Sequence, residues 1–484
     1  MRCEYIWTEY TGDVVTVRPC QFPQTTPTIA WQGRPYCMWH LPHAAKLNWS
    51  EEHKQRFDSC VESYLATVVK GAKCDFRGAV FPSVISFNEI TLSDADFRDT
   101  TFMEEASFYK ARFDKLANFK SAEFLKYAIF NEAQFSAAAL FDCAKFSGGL
   151  SLSNAVFEDL ASFSHANIQG DTSLDATRFN ATLMLEGTEC RGQVSFTNAL
   201  IESSHFDGSV FMSGIYFSGS RFNGWASFID TNFGEGADFD TVTFSDEARF
   251  ECTRPETARM PYSTWKNTRF MSSASFNNRI FTTHADFSRT VFDRAPTYHG
   301  CTFHEAMMFP PQAAFRERAG IGPSQAYRTL RLAMEKMSAH LEAGKFYALE
   351  QESRRNTKNE MRRHERLLSI LYGLISDYGR NALRPLGLAL AFIFCLAPIY
   401  ALAGSGSLSI SASLDEEALM SGLNFSLQQV VAPFGLWRER RSAFLFADTE
   451  VPTWVLWTAV AQSLVSIVLV SLSLLAVRWR FKRE

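Results

Sequence analysis

Ala106-Ser107-Phe108-Tyr109-Lys110-Ala111-Arg112-Phe113-Asp114-Lys115-Leu116-Ala117-Asn118-Phe119-Lys120-Ser121-Ala122-Glu123-Phe124 returns a phenylalanine at steps of five, six and five residues, with an alanine two places before each. The phase holds from Phe76 to Phe250 and resumes from Phe270 through Phe276, Phe281, Phe287, Phe292, Tyr298 and Phe303 to Phe309. Steps of five and six match neither the 3.6-residue period of a helix nor the two-residue period of a strand. They fit a chain that turns a corner after each short extended side and sends one large and one small residue inward per side. An all-helical solenoid is the weaker alternative on the same ground, since the phase would precess around a helix and helical repeats usually need longer units. Four sides close a coil of about 22 residues, and coils stacked about 4.8 Å apart hydrogen-bond as a parallel sheet. The sequence therefore predicts about ten coils over 71–310, with one ring on another up the axis, each worth about 1.5–3 kcal/mol of transfer energy. One slot used repeatedly also accounts for the 44 phenylalanines among 484 residues.

Ala106-Ser107-Phe108 to Phe113 and Ala237-Asp238-Phe239 to Phe244 resemble the pentapeptide-repeat family in its Phe-centred variant with alternating five- and six-residue steps. The resemblance covers about half the chain and implies a mainly β fold, a right-handed quadrilateral parallel β-helix. A rod packed solid with rings leaves no cavity in which to desolvate a substrate. It contains no nucleophile–base pair or phosphate-binding glycine loop, and its histidines (His165, His205, His284, His299, His304) are scattered. The expectation is a non-enzymatic protein that binds through flat polar faces. Cys252 to Ser263, with Pro255 and Pro261 and no phenylalanine, reads as a surface loop that breaks the ladder.

Residues 1–70 precede the repeat. Cys37-Met-Trp-His40 sets a thiolate and an imidazole on one tight turn, and Cys3 and Cys20 complete a tetrahedral donor set for structural zinc, with His43 as a competing fourth ligand. The spacing resembles a Cys…Cys…Tyr-Cys-x-x-His element ahead of other pentapeptide-repeat chains. Buried cysteines without metal remain the alternative. A helix from about Ser50 to Val69 is expected to cap the open end of the rod, which would otherwise present rings and strand edges.

Beyond Phe309, Pro310 and Pro311 are expected to stop the ladder. Helical periodicity begins near Ser324 (Tyr327, Leu330, Met334, Met337, Leu341), turns at Gly344-Lys345 and continues through Phe346 and Leu349. Ala326-Tyr-Arg-Thr-Leu-Arg with Lys345-Phe-Tyr-Ala-Leu-Glu350 resembles the helical connector of membrane-bound pentapeptide-repeat proteins. The stalk, 311–384, carries 14 basic and 8 acidic residues, against 20 and 30 over 71–310. Its cations Arg354, Arg355, Lys358, Arg362, Arg363 and Arg366 adjoin an apolar run, which predicts contact with anionic lipid head groups. Residues 385–484 form a two-span module: Pro385–Gly404 and Pro452–Val477 carry no charge and are long enough to cross about 30 Å of hydrocarbon. The flanking cations put both ends in the cytosol, with 405–451 outside. No secretory signal peptide is recognisable at the start.

The stretch around Leu419 to Gly435 is apolar enough to re-enter the bilayer. Tyr378-Gly379 and Phe425-Ser426-Leu427 resemble the channel-bearing branch of pentapeptide-repeat proteins, which implies a multi-pass protein of the bacterial plasma membrane. Phe425, Ser426, Gln428, Gln429, Pro433, Phe434 and Gly435 are the candidate pore residues. Val431-Ala-Pro433-Phe434-Gly435 stands where a potassium filter would carry Thr-x-Gly-Tyr/Phe-Gly, so potassium selectivity is not expected. Three functions follow: a membrane-anchored sensor or scaffold that binds a cytosolic protein, a homo-oligomeric pore gated by the rod, and an acidic duplex mimic. The third is weakest, since the rod is too feebly acidic to mimic a nucleic acid, and no nucleic-acid partner is expected.

Overall fold

The computed structural model describes residues 6–11, 14–22, 28–68, 73–404, 416–431 and 452–481, which fall into two compact units, Met1–Glu317 and Arg318–Glu484. The first is a parallel β-solenoid of about ten coils with an N-terminal cap. Two-residue strands stack in register, 22 residues apart over most of the rod: Thr101-Phe102 on Glu123-Phe124 on Lys145-Phe146, and Ala106-Ser107 on Ala128-Ile129. Each inward ring lies flat on the ring one coil away. Phe108 on Phe130 and Phe113 on Phe135 have centroids 4.6 Å apart with nearly parallel planes, while rings on opposite sides of the coil meet edge to face, as Phe108 does with Phe119 at 88°. Both arrangements suit the ring quadrupole.

The alternation of five and six has a backbone cause. Along the regular coils, the residue two after the inward ring of a five-residue step adopts a left-handed conformation: Asp99, Lys110, Ser121, Glu132, Cys143, Asn154 and His165 have φ between 56° and 61°. The tight corner is closed by the Ala111 N–H donating to Phe108 O at 3.0 Å, while the Lys110 N–H donates to Asn131 O of the next coil at 2.9 Å. Six-residue steps bend more openly. Elsewhere glycines recur every 22 residues, at 148, 170, 192, 214 and 236. A Cβ at Gly170 would come within 2.7–2.8 Å of the Gly148–Gly149 backbone, so this corner admits only glycine.

Over 252–263 the ladder is interrupted on one side only. A short 3-10 turn, Pro255–Thr257, bulges out, but Met260 fills the inward slot and pairs with Phe281, and Tyr262–Thr264 pairs with Gly236–Asp238. Trp265 then stacks on Phe239, with centroids 4.1 Å apart. Pro310 and Pro311 do not end the solenoid either, because Phe315 forms a bridge with Phe292 and stacks on it at 5.4 Å.

At the other end, a hairpin of Ile6–Thr11 and Val14–Pro19 is followed by helices α1 (His43–Lys46) and α2 (Glu51–Val68). Phe22 stacks on Trp39 at 4.4 Å, and Trp39 and Phe57 pack on Phe81 of the first coil. The first aromatic layer is thereby covered. Lys46 is buried beneath this lid, its Nζ donating to Val80 O at 2.5 Å and lying 4.1 Å from the Phe57 ring centre. Burial pushes its ammonium well below the ordinary range, with the Cys37 charge opposing.

The second unit is helical: α3 (Ile321–Lys336), α4 (His340–Asn356), α5 (Arg363–Ser376), α6 (Leu383–Gly404), α7 (Glu416–Val431) and α8 (Thr453–Phe481). Helices α3 and α4 pair as a hairpin joined by Arg331 to Glu350 at 2.8 Å. The turn falls at Met337–Ala339, with Ser338 left-handed at φ 59°, rather than at Gly344-Lys345, which lie inside α4. Leu341 consequently leaves the apolar stripe and is exposed, while Tyr327, Leu330, Met334, Phe346 and Leu349 are buried.

Candidate functional site

Two groups of side chains carry chemistry beyond the solenoid core. In the cap, Cys20, Cys37 and His40 bring their ligand atoms within 4.8 Å of one another. Cys20 Sγ lies 3.6 Å from Cys37 Sγ, and Cys37 Sγ lies 3.2 Å from His40 Nδ1. The 37–40 turn is closed by the His40 N–H donating to Cys37 O. His40 Nε2 is 2.9 Å from Arg77 O, which can only accept, so Nε2 carries the proton and Nδ1 turns its lone pair toward the sulfurs. A metal-ligating imidazole is commonly oriented in this way. The carbonyl's own residue is anchored in turn, since the Arg77 guanidinium pairs with Asp75 and with Asp96 at 3.4 Å. Three soft and borderline donors at these separations fit a tetrahedral ion such as zinc. Cys3 lies outside the described residues, and His43 is exposed at the start of α1, away from the cluster.

The second group joins α6, α7 and α8. Tyr400 Oη donates to Gln462 Oε1 at 2.9 Å, and Gln462 Nε2 donates to Ser426 Oγ at 2.7 Å and to Ser426 O at 3.0 Å. Ser426 Oγ donates to Ile393 O at 3.0 Å, and Ser463 Oγ donates to Gln429 O at 3.2 Å. All these side chains are buried, and Tyr400 and Phe425 pack with Val455 and Ala459 beside them. The register sets the course of α7. Gly422 faces Ala397 and Ala401, and a Cβ there would overlap the α6 backbone. Ser426, one turn later, meets Ile393, so α7 runs antiparallel to α6 and reaches the middle of its 22 residues.

Ser426 and Gln429 are thus turned into the helix packing, Phe425 is buried between helices, and Gln428 is exposed. Pro433, Phe434 and Gly435 lie outside the described residues. The basic run is divided. Arg354 pairs with Glu360 at 3.5 Å, Arg355 donates to Tyr378 Oη at 3.2 Å and Arg366 donates to Thr357 O at 3.1 Å, whereas Lys358, Arg362 and Arg363 are exposed.

Sequence reasoning missed Tyr400, Gln462 and Ser463; polar residues recurring at 462, 463 and 466 within an apolar run were the available signal. It also missed the pair that holds the irregular coil. Arg279 occupies the small inward slot that holds threonine in other coils, such as Thr231 and Thr290. Its guanidinium donates to the carbonyls of Thr231 at 2.9 Å, Thr257 at 2.7 Å, Phe228 at 3.0 Å and Phe250 at 2.5 Å, where the ladder of that side is open. Burial lowers its pKa to about 10. Asp230 receives the N–H groups of Thr253 and Arg254 at 2.7 and 3.0 Å. Burial alone would raise its carboxyl, but the donors of Thr253, Arg254 and Cys252 outweigh it and hold the group well below the ordinary carboxylate range.

The family model for pentapeptide repeats (nine copies) matches residues 76–123, 130–178 and 152–200. No curated protein and no solved structure matches the chain.

Proposed function

Starting from a pentapeptide-repeat solenoid followed by two helices able to cross a bilayer, we propose that this chain is a non-enzymatic, membrane-anchored sensor or scaffold. The solenoid binds a cytosolic protein through its outer faces, and α6–α8 anchor and assemble it as a homo-oligomer. The observation that carries the membrane half is reversed polarity: Leu386, Leu390, Phe394, Leu464, Val468 and Leu474 point outward, while Tyr400, Ser426, Gln462 and Ser463 are sealed inside. A bundle in water would invert this. Lys358, Arg362 and Arg363 before α6 and the cations of the sequence run Arg478 to Arg483 after the apolar stretch favour a cytosolic location for both termini. Alkaline carbonate washing of membranes from expressing cells tests the anchor: the chain should stay in the pellet, and release into the wash would overturn it.

The depth of α7 favours a second reading, an oligomeric pore. Its described last turn lies past the middle of α6, because Ser426 already meets Ile393, and the negative end of a helix dipole favours a cation. Asn424 and Gln428 are exposed polar side chains of α7. Currents in planar bilayers that change with Gln428→Leu support the pore; silence with wild-type protein leaves the module as an anchor.

Cys20, Cys37 and His40, with Cys3 as fourth ligand, hold one structural zinc that knits the cap. Purified chain should contain stoichiometric zinc and lose it in Cys37→Ser; zinc unaffected by that change would remove the site.

A further inference from the structure

Helix α5 is built inside out. Its inner face is Ser369, Tyr372, Gly373 and Ser376, gathered round Tyr378: Ser369 Oγ lies 3.2 Å from Tyr378 Oη, the Tyr372 and Tyr378 rings meet edge to face at 5.7 Å, and a Cβ on Gly373 would touch the Tyr378 ring. Its outer face is leucine. Leu367, Leu368, Leu371 and Leu374 are 58%, 63%, 43% and 69% exposed. They stand at steps of one, three and three residues, forming one stripe along the helix. A helix at a water-facing surface puts its leucines inward and its serines outward; α5 does the reverse.

We propose that the leucine face of α5 lies in the cytosolic leaflet of the bilayer, making α5 an in-plane membrane helix ahead of the first span. This rests on the reading of α6 and α8 as membrane spans. Continuity selects lipid as the occupant. Helix α5 ends at Ser376 and α6 begins at Leu383. The connection is stiff: Asp377 and Gly379 take positive φ, the Gly379 N–H donates to Ser376 Oγ at 3.0 Å, and Ser473 Oγ of α8 donates to Ala382 O at 2.8 Å. A helix tied this closely to a span, beside the basic end of α8, sits at the level of the inner head groups. Charge complementarity points the same way: Lys358, Arg362 and Arg363 are exposed at the α5 entrance and Arg384 is exposed at the α6 entrance. Cations flanking an apolar stripe suit an anionic leaflet, the apolar side entering about 5–10 Å.

The test places the photoreactive residue p-benzoyl-phenylalanine singly at Leu371, Leu374, Ser369 and Phe394 of the full chain. Each protein is reconstituted in vesicles of phosphatidylcholine and phosphatidylglycerol, irradiated, and weighed by mass spectrometry. Phe394, exposed at mid-span in α6, reports on the spanning reading itself. The proposal expects lipid adducts at Leu371 and Leu374 comparable to those at Phe394 and at least about fivefold above Ser369, as one-sided insertion requires. Lipid adducts at Phe394 without any at Leu371 or Leu374 overturn the proposal and leave the spans standing. Products of twice the chain mass from Leu371 and Leu374 also overturn it, by assigning the face to a second copy. Absence of adducts at Phe394 removes the spanning reading and the proposal with it.

Discussion

In the solenoid the rings of Phe108 and Phe130 are sealed and Asn131 and Glu132 lie at the surface, whereas in α6–α8 Phe394 and Leu474 lie at the surface and Gln462 and Ser426 are sealed. On the proposed membrane reading, the difference is one of solvent, water for the solenoid and lipid for α6–α8. In water, burying apolar area drives folding, and the polar layer outside need only be soluble. In lipid that drive is absent, and close packing and interhelical hydrogen bonds hold the helices together. Gly422 against the α6 backbone supplies the first and the Tyr400–Gln462–Ser426 chain the second.

The largest expected effect lies in the solenoid core. Phe130→Ala removes a ring stacked 4.6 Å from Phe108 and should cost about 3–5 kcal/mol, read as a drop in the thermal midpoint. Asn131→Ala loses only the Ser151 hydroxyl and the Ser153 N–H as partners and should cost about 1 kcal/mol. Equal losses would break the inside–outside assignment.

Next comes Arg279→Ala, which removes the guanidinium from four carbonyls at the open side of the ladder, of which, among the described residues, only Phe228 O keeps a backbone donor, and should cost about 3 kcal/mol. The loss should be local, seen as faster amide exchange over residues 226–281 with coils near Phe108 unchanged. Uniform acceleration would mean that Arg279 is no local staple.

In α6–α8 the expected effect is smaller. Gln462→Leu leaves Tyr400 and Ser426 without their shared partner and should destabilise the detergent-solubilised chain by about 1 kcal/mol. The outward change Leu474→Ala should cost less than that; a larger loss would contradict the lipid-facing assignment.

The smallest effect is on the acid side of stability. The Asp230 carboxyl is depressed in the folded chain, so its contribution is full above the unfolded value of about 3.9 and fades as pH falls through the folded one. Asp230→Asn should therefore lower the thermal midpoint at neutral pH, with the gap narrowing toward strong acid. A constant gap would remove the linkage.

The solenoid was legible because nearly every inward slot uses the same residue, so the phase survives individual substitutions. Where the slot is filled differently, the reading failed locally. Met260 fits the ring position but does not announce it, and Phe315 follows two prolines that a single-coil argument takes as a stop. Several left-handed corners were invisible: Lys110, Ser121 and Glu132 have no intrinsic preference for that conformation, and stacking imposes it. Ser338 breaks the α3–α4 hairpin for a similar reason, since the more obvious Gly344 is accommodated inside a helix. Cys37-x-x-His40 was visible as a local motif. Its approach to Cys20 depends on tertiary folding, and so does the Gln462–Ser426 contact between residues 36 apart in sequence.

Membrane orientation tests the central claim most directly, and the chain carries half of the assay already. Cys143 is exposed on the solenoid, and a cysteine introduced at Ser411 falls in the segment between the spans. In intact cells a membrane-impermeant maleimide should label Ser411→Cys, while wild-type chain, Cys143 included, stays unlabelled until lysis. Labelling of Cys143 in intact cells would place the solenoid outside and contradict the account.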